Sequence, residues 1–150
     1  MKAITVWQPW ATLLALGEKE NETRSRRTNH RGKIAIHAGL KIDRAACERE
    51  PIKSTLAKHG YTADNLPTGA IVGIADLAEC WAVGEDYNSG VAVLINGADG
   101  ATRDVSPNER SFGDYSFGRH AYQMKDVQRL ERPIPAKGQQ GLWNWNGDLP

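Results

Sequence analysis

Residues 2–7 alternate, with Ala3, Thr5 and Trp7 on one side and Ile4 and Val6 on the other, the two-residue repeat of a strand. The period then changes. Trp10, Leu13 and Leu14 fall at i, i+3 and i+4, with Pro9 at the first helical position and Gly17 just past the end, which predicts a short helix. Residues 22–27 form a polar strand candidate, and His30-Arg31-Gly32 supplies a turn. Residues 33–38 alternate again, placing Ile34, Ile36 and Ala38 on a core face and His37 opposite. Asp43 can cap a charged, surface-lying helix running to about His59.

Pro67 and Gly69 introduce a strand over residues 70–80, on which Val72, Ile74 and Asp76 share a face. The periodicity fails over about 84–113, where Gly, Asn, Asp and Ser dominate apart from the apolar run 91–95. That stretch reads as an irregular, mobile insertion, dispensable for folding. A strand is expected over residues 119–130, broken off by Pro133 and Pro135, and a last short one over 142–145. Strands dominate, two helices interrupt them and no repeat is present. The expectation is one α+β domain over residues 1–150, a small β-barrel with flanking helices.

A chain of 150 residues with 40% hydrophobic and 25% charged residues suits one globular domain and excludes disorder. Gln8 and Pro9 interrupt the N-terminal apolar run, which therefore reads as strand and helix rather than a signal peptide. No stretch is apolar enough to span a membrane. The two cysteines, Cys47 and Cys80, are far apart and lack ligand-spaced partners, which points to a reducing cytoplasm and no metal.

The net charge of +1 predicts no partner, so the distribution of charge matters. Residues 23–42 contain no acid but hold Arg24, Arg26, Arg27, Arg31, Lys33 and Lys41. Such a patch attracts phosphates; equally, it suits a solvated strand and turn paired with distant acids. Trp7, Trp10, Trp143 and Trp145 are rings for stacking a base or for filling a core. Lys19, Glu22 and Arg24 follow the first helix, and the last two point the same way on an extended strand. A carboxylate between two cations can orient a ligand or form a surface ion pair of little energetic consequence. Asp76 sits either at a barrel rim or across a cleft from Lys19 or Arg24.

The motifs Trp7-Gln8-Pro9-Trp10-Ala11, Gly17-x-Lys19-x-x-Glu22-x-Arg24-Ser25, Arg31-Gly32, the strand from Gly69 to Leu77, Pro135-Ala136-Lys137-Gly138 and Leu142-Trp143 stand in this order. Together they resemble the ASCH family, the activating signal cointegrator homology domains of the PUA-like superfamily. The resemblance implies a barrel with a cleft beside the first helix and ligands of the RNA or nucleobase class. Some small family members remove an acyl group from N4-acetylcytidine with a Lys, a Thr three residues on and a later Glu; another is a ribonuclease. Lys19 matches the first, but Glu22 stands where the Thr would be, and Ala75, beside Asp76, aligns with the Glu.

Two function classes follow. One is a module binding RNA, another single-stranded nucleic acid or a modified nucleoside. Trp7, Gln8, Arg24, Ser25, Arg27, Arg31, Lys137 and Trp143 would form its contacts. The other is a hydrolase, an amidohydrolase or ribonuclease, in which Lys19 is base or oxyanion holder and Glu22 or Asp76 activates water. Neither requires a cofactor, a metal, a membrane or an obligate protein partner.

Overall fold

The computed structural model describes residues 1–149. The elements run β1 (Lys2–Gln8), α1 (Trp10–Ala15), β2 (Asn21–Arg24), β3 (Gly32–Ile42), α2 (Arg44–Cys47), α3 (Ile52–Lys58), β4 (Ala70–Glu85), β5 (Ala92–Asn96), β6 (Thr102–Asp104), α4 (Pro107–Ser111), β7 (His120–Pro135) and β8 (Leu142–Asn144). The strands form one mixed sheet in the order β2-β7-β4-β3-β1-β8, with β5 added to β4 and β6 to β5. Among the described residues only β1 and β3 pair in parallel; the other pairs are antiparallel. The fold is α+β as expected, but the barrel is not closed by backbone pairing: β2 and β8 end the path without meeting.

α1 has six residues, too few to hold itself together, and it forms because Ala11 to Ala15 are buried. Ala11, Leu14 and Ala15 pack on one sheet face with Ile4, Val6, Ile34, Ile36, Val72 and Leu77. Gly17, at φ +75, ends the helix. The Leu13 carbonyl then accepts the backbone N–H groups of Glu18 and Lys19 at 3.1 and 3.0 Å, which fixes where Lys19 begins.

The opposite sheet face is covered too, by Trp143 and Trp145 against Ala3, Ala35, Ile71 and Ile74. His37 was expected away from the core, yet it is buried, because both faces of the central strands are covered. Its ring meets Trp143 edge-on at 5.5 Å and bonds the Ala136 carbonyl. Val72 and Ile74 do not share a face: they join opposite layers, because the register slips near Gly73 against both β3 and β7.

The single helix expected over 43–59 is two. Asp43 caps α2 by accepting the Ala46 N–H at 3.0 Å, and Pro51 separates it from α3 because proline cannot donate in mid-helix. Their charged sequence still carries an apolar stripe. Ala46, Cys47, Ile52 and Leu56 pack with Leu13 and Phe112.

The stretch 84–113 is not irregular throughout. β4 runs on to Glu85, β5 pairs with it from Trp81↔Asn96 to Glu85↔Ala92, and α4 follows β6. Leu94 and Val105 pack on Val83 and Ala121. Nor do Pro133 and Pro135 break β7, which continues along β4 to Ala70↔Pro135. β2 pairs only with residues 120–123, so the prolines lie where no partner needs their missing N–H.

Candidate functional site

The gap in the sheet gathers the candidate site residues. β2 pairs with β7 on one edge only. Met124 N–H donates to the Glu20 carbonyl, so by alternation the carbonyls of Asn21 and Thr23 point to the free edge. Cations meet both. Lys19 Nζ donates to the Asn21 carbonyl, and Arg119 donates to the Thr23 carbonyl at 2.9 Å. Across the gap, β1 pairs with β8 only from Lys2 to Ile4, leaving the Thr5 carbonyl open. Arg24 spans the gap and donates to that carbonyl at 2.7 Å, while Nε and Nη2 hold Glu22 at 3.0 and 2.8 Å.

A cleft of about 600 Å³ lies on the α1 side of Arg24. Lys19, Glu22, Arg24 and Trp7 line it, as do Trp10, Thr23, Gly113 and Arg119. Lys19 is 1% exposed. Burial pushes its amine pKa down and Arg24 adds to the shift, while the carboxylates of Glu22 and Glu109 act against it. Gly113 leaves room for this amine: a Cβ there would stand 3.1 Å from Lys19 Nζ. Trp7 is 48% exposed, and Lys41 Nζ sits 3.9 Å from its ring centroid.

Residues of the 84–113 stretch build the support. Glu109, from α4, is buried and accepts Glu20 N–H at 2.6 Å and Tyr115 O–H at 2.9 Å. Tyr115 also receives the Asn21 side chain, and Arg103 pairs with Glu20 at 2.8 Å. The loop carrying Lys19 is thus tied to α4 and β6.

The other expected site residues divide. Ser25 lies beside Arg24 on the far side of the gap. Gln8 is fully buried and its amide is engaged: it accepts Thr12 N–H and donates to Thr12 Oγ1 and the Pro67 carbonyl. Trp143 is 6% exposed and donates to Thr5 Oγ1, so neither ring face is open to a base. Asp76 stands away from the cleft, paired in register with Lys33 and Lys125, because the slip near Gly73 turns it to the other layer. Arg27 and Arg31 lie on the turn outside the cleft, where Arg31 pairs with Glu79 at 2.8 Å. Lys137 is exposed in the β7–β8 connection. Trp10, weighed in the sequence as a stacking or a core ring, lines the cleft and also packs against the core, and Arg49, Asp114 and Arg119 come to the cleft without any local sequence signal.

No helix of the described residues is long and apolar enough to cross a membrane. Among curated proteins nothing matches this sequence. The crystal structure of an ASCH protein from Zymomonas mobilis aligns at 20% identity and TM-score 0.45, covering 89% of this chain and 72% of that one. A point mutant of it aligns at 19% identity and TM-score 0.45, covering 89% and 74%. The ASCH domain family model matches residues 4–101, from β1 through β5. The chain belongs to the ASCH domain family.

Proposed function

We propose that the cleft beside α1 binds a nucleobase, carried by single-stranded RNA or by a modified nucleoside, in the cytoplasm. The observation that carries this reading is a buried amine on the floor of a cleft walled by two tryptophans, Trp7 and Trp10. Ring faces accept a base of any identity by stacking, worth roughly 1–3 kcal/mol per base. Lys19, Arg24 and Arg119 supply donors for a carbonyl or phosphate oxygen, and Glu22 supplies an acceptor for an exocyclic amine. The exposed tryptophan gives the test. Titrating cytidine and N4-acetylcytidine should quench tryptophan fluorescence, and Trp7→Ala should weaken binding about tenfold or more. Unchanged affinity in Trp7→Ala would remove the stacking wall from this reading.

A second reading, a hydrolase acting on the same ligand class, is favoured by one observation: burial lowers the Lys19 pKa. A neutral amine can take a proton from water, and a charged one can hold an oxyanion. Glu22 is the carboxylate at hand; Asp76 lies elsewhere. On N4-acetylcytidine, water would add to the acetyl carbon and the C–N4 bond would break. N4 would take a proton, leaving acetate and cytidine. Incubation followed by chromatography separates the two readings, since binding alone returns N4-acetylcytidine unchanged.

A further inference from the structure

We propose that the pocket on the far side of Arg24 is a second nucleotide subsite, so that the ligand is a nucleic acid chain engaged over at least two nucleotides rather than a free nucleoside. This rests on reading the first cleft as a nucleobase site. The pocket, about 620 Å³, is close in size to the first cleft and shares Thr5, Trp7 and Arg24 with it. Both are parts of one opening, the gap between β1 and β2 where the sheet does not close, divided by the Arg24 side chain on its way to the Thr5 carbonyl. A chain following that opening passes Arg24 between one pocket and the next, which is where the phosphate linking two nucleotides belongs.

The chemistry on the far side suits that occupant. Arg24 and Arg26 line the pocket, and no carboxylate does. In the first cleft, Glu22 and Asp114 accompany the cations. Arg24 is already paired with Glu22, so the charge particular to the second pocket is that of Arg26, which no carboxylate of the lining accompanies and which can meet a phosphodiester. Arg24 uses Nε and Nη2 on Glu22 and Thr5, and among the described residues Nη1 has no protein partner, which leaves a donor for a phosphate oxygen. Tyr122 O–H donates to the Arg26 carbonyl at 2.6 Å and so fixes the backbone of that wall. Facing it, Gln139 and Gln140 offer exposed carboxamides, groups that donate and accept together as a base edge does. Trp7, common to both pockets, gives each a ring edge or face.

Calorimetry with two probes tests this: cytidine, and the dinucleoside monophosphate cytidylyl-cytidine. Cytidylyl-cytidine should bind about tenfold or more tighter than cytidine, from one added stacked base and one phosphate contact. The double substitution Arg26→Ala with Gln140→Ala touches only exposed side chains outside the first cleft. It should cut the gain severalfold, with Arg24 and Trp7 keeping the remainder, and leave cytidine affinity unchanged. Equal affinity for the two probes, or a gain undiminished by the double substitution, would overturn the second subsite while leaving the first intact. Failure of both probes to bind would overturn the nucleobase reading of the first cleft, and the subsite with it.

Discussion

Lys19 is the residue on which the site turns. Its ammonium has left water for a place beside the Asn21 carbonyl, and burial is the largest cause of its lowered pKa. A lowered lysine pKa fixes the sign of its linkage to stability. Below the depressed folded value both states hold the proton and the contribution is flat. Between that value and 10.5, the ordinary value, only the unfolded chain holds it, so stability rises with pH. Lys19→Met fills a similar space without a proton to lose and should flatten that rise. Tyr115, Cys47 and Cys80 are pushed up by burial and contribute the opposite slope at alkaline pH. The difference between wild type and Lys19→Met removes their share. Denaturant unfolding from pH 7 to 10 gives the measurement. Equal pH slopes in the two proteins would show that Lys19 titrates as it does in water.

Among the elements, α4 is the one whose role was least visible. It stands outside the segment matched by the family model, yet Glu109 holds the loop between α1 and β2. Replacing this buried acceptor should destabilise the protein by about 1–3 kcal/mol in Glu109→Ala, because the Glu20 N–H and Tyr115 O–H lose their partner. A loss below about 0.5 kcal/mol in urea unfolding would show that the loop is held by other means. What the sequence discloses follows from how local each interaction is. β1, α1 and the trio Lys19, Glu22 and Arg24 were legible because adjacent residues determine them. Alternation also tells which residues share a side of a strand, but only until a bulge: the slip near Gly73 separated Val72 from Ile74 and carried Asp76 away from the cleft. Nor does alternation tell whether the outer side is covered, so His37 and Trp143 were misplaced. Gln8 was read with the ligand contacts, while its burial and its bond to Pro67 depend on a segment 59 residues away. The hairpin of β4 and β5 and the arrival of Glu109 and Arg119 depend on pairings that composition hides under Gly, Asn and Asp.

At the scale of the whole molecule, a net charge of +1 leaves binding to depend on where cations are gathered. The acid-free segment contributes Arg24 and Arg26 to the open gap, whereas Arg31 is already paired with Glu79 outside it. Affinity for single-stranded RNA should fall as salt rises. Arg26→Ala should flatten the log–log slope by about 0.7, the increment for one phosphate contact on a single strand, and Arg31→Ala should leave it near the wild-type value. The reverse ranking would place the strand on the turn. The claim that the gap between β1 and β2 is the binding site is tested most directly by an ¹⁵N–¹H titration with a short single-stranded RNA. The predicted result is perturbation of the indole N–H signals of Trp7 and Trp10 and of the amides from Lys19 to Arg26, with Trp143 and Trp145 unmoved. Perturbations confined to the turn around Arg27 and Arg31, with both cleft indoles silent, would contradict it.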